Sequence, residues 1–210
     1  MTGPAGPPGP ARLILATRNR GKLAELRRIL AAAGVSAAVT DLDDAPGMPE
    51  VAETGRSFTD NALLKARAVA VFTGLPAVAD DSGLCVDALN GMPGVLSARW
   101  SGSHGDDEAN LQLLLAQLAD VPAGERGARF VCVAALVLPS GGEHLAEGTV
   151  HGQLTRSPRG SNGFGYDPIF VPDGFELTTA QMSAEEKDKI SHRGKALRAL
   201  APVIARELGG

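Results

Sequence analysis

The 210-residue chain has few cysteines, no long apolar runs and no surplus of positive charge. Its two cysteines, Cys85 and Cys132, each sit inside an apolar stretch with no metal-ligand spacing around them. Neither a disulfide framework nor a cysteine metal site is available, and both read as reduced core residues of a cytosolic protein. No apolar run reaches the roughly 18 residues a membrane-spanning helix needs. Against 20 Lys and Arg stand 24 Asp and Glu, for a net charge of -4. That is the wrong sign for a surface built to hold nucleic acid or anionic lipid, so a small-molecule partner fits better. Internal repeats are absent, and so is the phosphate-binding signature GxxxxGK[ST].

What remains is an ordinary globular composition, 44% hydrophobic and 21% charged, in a chain long enough for one domain with a sizeable core. The opening MTGPAGPPGP is Gly/Pro-rich and lacks the features of a signal peptide. It is expected to form an unstructured tail over 1–10, with the folded domain at 11–210. The sequence predicts a buried strand over 12–16, a polar loop over 17–22 and a helix carrying Leu23, Leu26 and Leu30 up to Gly34. A second helix is predicted from 57 to about 73, leading through Gly74 and Pro76 into a strand that ends at Asp80. A third runs from 107 to 118, acidic at its start as the helix dipole favours. Strands over 129–138 and 143–155, joined at Ser140-Gly141-Gly142, form a hairpin. Two short helical stretches close the chain, one capped by Ser183 with Glu186, the other carrying Leu197, Leu200 and Ile204. The alternation gives an α/β fold around a mixed, twisted sheet flanked by helices, with polar clusters at the strand ends where ligands of such sheets bind.

Those clusters carry the chemistry. Ala77-Val78-Ala79-Asp80-Asp81-Ser82-Gly83 ends an apolar run in two adjacent carboxylates, which are costly to bury unless something positive pairs with them. Asp-Ser-Gly is also turn chemistry. The loop Thr17, Arg18, Asn19, Arg20, Gly21 and Lys22 offers a hydroxyl, an amide and three cations at a helix start, a candidate triphosphate cradle. Asn61 and Lys65 share one helical face, with Glu53 ahead of the helix. Glu53 with Asp80 and Asp81 provides the few hard oxygens that Mg²⁺ requires. In Ser161-Asn162-Gly163-Phe164-Gly165-Tyr166-Asp167, close glycines let the backbone approach a ligand and an aromatic face can stack on a base. Lys187, His192 and Arg193 are donors for a carbonyl oxygen or a phosphate.

In this order, TRNRGK, ETGRSFTDNALLKA, ADDSG, GMPGVLSARWSG, FGYDPIF and EEKDKISHRGKAL resemble the inosine/xanthosine triphosphate pyrophosphatase family over about residues 12–207. The resemblance implies an elongated, two-lobed α/β domain with a central cleft, a homodimer, a Mg²⁺ requirement, and hydrolysis of non-standard purine nucleoside triphosphates to monophosphate and pyrophosphate. By position it makes Thr17 to Lys22 the phosphate loop, Asp81 proton acceptor and metal site, Glu53 a metal ligand and Ser82 a substrate contact. Phe164, Gly165, Tyr166, Asp167, Lys187, His192 and Arg193 become the nucleotide-binding set. Many members carry a second acid just before Glu-Thr-Gly, where this chain has Ala52.

The expected mechanism has Asp81, or Asp80 in its place, orient a water toward the α-phosphorus, while His192 and Arg193 read the purine edge. A pyrophosphatase for damaged pyrimidine triphosphates and a catalytically silent nucleotide sensor are the competing expectations.

Overall fold

The computed structural model describes residues 11–209, so the expectation for the tail at 1–10 lies outside the described residues. The first apolar run forms β1 (Ala11–Leu15), and the chain passes through the polar loop into α1 (Arg20–Ala32), which buries Leu23, Leu26, Ile29 and Leu30 at helical spacing. Helix α2 (Phe58–Thr73) starts at a reciprocal capping box of Ser57 and Asp60 and stops at Gly74, which is left-handed.

The next strand departs from expectation. β3 (Ala77–Val86) does not end at Asp80, because it pairs throughout with β4 (Gly127–Val137), from Ala77 against Val137 to Val86 against Ala128. A full antiparallel partner outweighs the local turn preference of Asp-Ser-Gly. β5 (Glu143–Leu154) completes the expected hairpin. Two strands went unread: β2 (Ala37–Thr40), parallel to β1, and the edge strand β6 (Phe170–Pro172). Both are too short to display a period. Helices α3 (Asp107–Gln117) and α4 (Ala184–Ile190) fall where expected, whereas α5 (His192–Leu208) is longer than a short stretch and runs through Pro202.

Among the described residues the six strands form one mixed sheet in the order β2-β1-β3-β4-β5-β6, parallel on the β1 side and antiparallel beyond β3. α1 and α5 bury their apolar faces with Leu13, Leu15, Val78, Cys132 and Ala134. α2 packs with Ile14, Ala77, Ala79, Val133 and Ala135. The two residue sets alternate along the strands, so these helices cover opposite faces. A third core gathers α3 with Leu84, Val86, Val150 and Phe170 at the far end of β3. Both cysteines are buried.

The cleft lies between these ends. β1 pairs with Ala77 and Val78 of β3 and no further. From Leu84 onward the same edge is taken by the segment 92–97, through Leu84 N–H to Ser97 Oγ at 2.9 Å and Val86 N–H to Met92 O at 3.1 Å. Between the two, among the described residues, Asp80 to Ser82 have no strand or turn hydrogen-bonded to this edge.

Candidate functional site

Strand alternation explains the adjacent carboxylates: Asp80 and Asp81 point to opposite faces of the sheet and into different company. On the α1/α5 face, Asp80 Oδ2 lies 2.7 Å from Lys22 Nζ and 3.2 Å from Arg193 Nε, and Glu25 holds the other side of the Arg193 guanidinium. Burial alone would lift the Asp80 carboxyl, but the two cations outweigh it and hold it well below the usual carboxylate range. On the α2 face, Asp81 accepts from Asn61 Nδ2 at 3.0 Å and has Lys65 Nζ at 3.6 Å. Burial dominates there, and the Asp81 carboxyl is pushed above its usual range despite Lys65.

Lys65 is the centre of the second cluster. Its ammonium also meets Glu53 Oε1 at 2.7 Å, and Arg99 approaches the other Glu53 oxygen at 3.7 Å. Burial works against the charged lysine, yet Asp81 and Glu53 keep it above its ordinary value. Glu53 itself, although partly buried, is drawn down chiefly by Lys65. Asn61 is aimed by a further contact, the Gly55 N–H to its Oδ1 at 2.8 Å. A cavity of about 490 Å³ opens over this group, lined by Arg18, Glu53, Lys65, Arg99 and His104 among others.

Among the described residues no cluster of three or more His, Cys, Asp and Glu side chains is gathered for a metal. The donor set at Glu53 and Asp81 nonetheless suits a hard divalent cation. Two carboxylates converge on one position, now taken by an ammonium, and Mg²⁺ commonly uses one or two carboxylates and fills its remaining places with water and phosphate.

The predicted phosphate loop has a different local economy from the one expected. Asn19 caps α1, its Oδ1 accepting from Gly21 N–H at 2.9 Å and Lys22 N–H at 3.2 Å, while Thr17 Oγ1 accepts from Asn19 N–H at 3.1 Å. Those amides serve the helix start, and Lys22 serves Asp80. Arg18 faces the large cavity, and Arg20 is exposed.

A second, mostly apolar slot of about 150 Å³ lies along β3 beyond Asp80, with Ser82, Phe130, Phe164, Gly165, Tyr166, Asp167, Lys187 and His192 on its walls. His192 stacks on Phe130, ring centroids 5.0 Å apart and planes 13° from parallel. Burial, aided by Lys187, lowers its pKa to about 4, so the imidazole is neutral near pH 7. Asp167 is not a free acceptor. It is ion-paired with Lys187 and accepts from Phe164 N–H at 2.9 Å and Thr179 Oγ1 at 2.8 Å. Lys187 in turn lies 5.0 Å over the exposed Phe164 ring. Tyr166 donates its hydroxyl to Ser97 O at 2.9 Å and so ties the 164–167 turn to the far wall. The expected pair therefore separates: His192 lines the slot, and Arg193 points away to Asp80 and Glu25.

A profile of the Ham1 family matches residues 13–203. The chain belongs to the Ham1 family. A dITP/XTP pyrophosphatase of Streptomyces avermitilis is 61% identical over 198 residues, spanning 94% of this chain and 99% of that one. Among solved structures, a nucleoside-triphosphatase (dITP/XTP pyrophosphatase) of Mycobacterium abscessus superposes with a TM-score of 0.80 at 58% identity, covering 92% of this chain and 99% of that chain. A HAM1 protein of Coxiella burnetii gives 0.86 at 39%, with 93% and 99% covered. These names agree with the resemblance that the six motifs carry.

Within this Ham1 chain, sequence reasoning missed Glu25, Arg99, His104, Asn110 and Phe130. Glu25 stands one helical turn beyond Lys22, a spacing that offers a hint. Arg99 lies within a quoted motif, but only the folded chain brings it 46 residues back to Glu53.

Proposed function

We propose that this Ham1 protein hydrolyses non-canonical purine nucleoside triphosphates (ITP, dITP and XTP) to the monophosphate and pyrophosphate, and so cleanses the nucleotide pool. The observation that carries the reading is the unpartnered stretch of the β3 edge, with a neutral-imidazole, aromatic slot on one side and, on the other, a cavity lined by Arg18, Glu53, Lys65 and Arg99, whose Lys65 reaches the raised Asp81 carboxyl. A nucleotide crossing that edge sets its base in the slot and its triphosphate among Arg18, Lys65, Arg99 and His104, as the names of the close relatives lead one to expect.

Glu53 and Asp81 would hold Mg²⁺, which when bound supplies charge neutralisation at the phosphates. Asp81 orients a water toward the α-phosphorus and takes its proton as the new P–O bond forms and the bond to the bridging oxygen breaks. Its raised pKa favours this role, whereas Asp80, fixed between two cations, is a poor base. Pyrophosphate leaves with its new charge facing Arg18, Lys65 and Arg99. In the slot, neutral His192 donates to the 6-oxo group; adenine presents a donor at that position and leaves two donors facing each other. Arg193 and Lys22 fix Asp80, and through it the course of β3 beneath the substrate.

The family resemblance further supports a homodimer working in the cytosol. Among the described residues no helix is long and apolar enough to cross a membrane. Pyrophosphate release from ITP, dITP, XTP, ATP, GTP and a modified pyrimidine triphosphate tests the reading. Turnover of the first three should exceed that of the others at least about a hundredfold, and chelation of divalent ions should abolish it. Preference for the pyrimidine, or full activity in chelator, would defeat the substrate or the metal assignment respectively; light scattering tests the dimer.

A further inference from the structure

One polar atom at the slot has no task within the protein. Asn110, in the first turns of α3, is 1% exposed, and its Oδ1 accepts the Ser101 N–H at 2.7 Å. That bond fixes which way round the amide lies, because a backbone N–H must face the oxygen. Nδ2 is left as a buried donor with no partner. Among the described residues the other buried side-chain atom without a hydrogen bond is Arg193 Nε, and it lies 3.2 Å from Asp80 as one limb of an ion pair. Asn110 Nδ2 has no such compensation. Buried donors are rarely left unpaired without a reason, and this residue lines the slot beside Ser82, Ser97, Asp107 and Tyr166. The Tyr166 hydroxyl is committed to Ser97 O and the Asp107 Oδ2 to Gly165 N–H. An acceptor on an occupant of the slot would supply the missing partner.

We propose that Asn110 determines base specificity, its Nδ2–H facing the 2-position of the bound purine. The proposal rests on the reading of the slot as the base site. A donor there pairs with the 2-oxo group of xanthine and tolerates the 2-hydrogen of hypoxanthine. It meets the 2-amino group of guanine donor to donor, leaving both buried and unpaired. The 6-oxo group cannot make this distinction, since guanine shares it. The 2- and 6-substituents of a purine point in different directions, and Asn110 and His192 stand on different elements, α3 and α5. One donor for each position is what a slot accepting xanthine and refusing guanine requires.

Asn110→Asp keeps an oxygen for Ser101 and turns the free donor into an acceptor at nearly constant volume. The measurement is kcat/KM for XTP, ITP and GTP with parent and variant, folding being checked by melting. The XTP-to-ITP ratio should fall at least about tenfold and the GTP-to-ITP ratio should rise by a similar factor, the scale of one buried hydrogen bond gained or lost. Unchanged ratios in a folded variant overturn the inference. So does an equal loss with all three substrates, which would move the donor to the shared 6-oxo group. If the variant does not fold, the parent decides: side-chain amide proton signals of Asn110 that shift more on binding xanthosine monophosphate than on binding inosine monophosphate uphold the inference, and the same response to both overturns it. A parent that hydrolyses none of the three defeats the proposed activity instead, so the two failures are distinguishable.

Discussion

Asp80 and Asp81 differ by one position and by one face of the sheet, and their substitutions should part accordingly. Asp80→Asn leaves Lys22 and Arg193 without their shared carboxylate, and breaking a buried pair from one side costs about 3–5 kcal/mol. Its melting temperature should drop sharply, with activity falling as a consequence. Asp81→Asn removes a carboxyl whose ionised form burial disfavours, while Lys65 keeps Glu53. That variant should melt at or slightly above the parent yet lose about 10²-fold or more in turnover. Equal melting temperatures for the two would undo the division of labour, and an active Asp81→Asn would return the base to Asp80 or Glu53. The pair also marks the limit of what the sequence alone reveals at this scale. Two carboxylates in need of positive partners were legible, as was Asn61 alongside Lys65 at helical spacing. Which cation goes to which acid was not, because Lys22 and Arg193 are 171 positions apart in the sequence and meet through α1 and α5 packing on one face.

At the scale of elements, the site depends on how closely the turn Gly94–Arg99 approaches β3. Gly83 permits that approach: a Cβ there would lie 2.5 Å from both Gly94 O and Ser97 Oγ. Gly83→Ala should therefore push the turn outward, costing about 1–3 kcal/mol as overpacking does and loosening Ser97, which anchors Tyr166. KM for ITP should rise more than kcat falls, since the turn bears the slot wall and Arg99, whereas Asp81 and Lys65 stand on β3 and α2. A variant with parental stability and KM would mean that the turn is not held by this contact. The same strand shows why the fold was legible in outline and not in detail. Helices α1 and α2 announce themselves by apolar spacing and caps, and the hairpin by its glycines. β3 looked finished at Asp80 because polar residues and a glycine follow, and its continuation is dictated by β4, about fifty positions downstream. β2 and β6 owe their strand character to neighbours alone, and no local signal marks them.

For the molecule as a whole, acid stability brings the two sides of the cleft together. The folded chain holds His192 at about 4 against an ordinary 6.5, by burial and then by Lys187. Between those values the unfolded chain binds a proton that the folded one excludes, so stability rises with pH across this window and is lost as pH falls through it. Asp80 is also lowered, from an ordinary 3.8, so its ion pairs contribute fully above that value and begin to fail below it. Asp81 has the opposite sign: with its pKa raised, its ionisation subtracts stability once the pH exceeds the unfolded value. The parent should accordingly lose stability in two stages on acidification, one from about pH 6.5 and a second below about pH 4. One excluded proton corresponds to a slope of about 1.4 kcal/mol per pH unit. His192→Gln should remove that much of the slope between pH 6.5 and 4 and leave the lower stage in place. Denaturant melts of parent and variant at half-unit intervals read the difference directly. Parallel curves through the upper window would show that His192 takes up its proton as readily folded as unfolded, and the neutral donor assigned to the base slot would be lost with it.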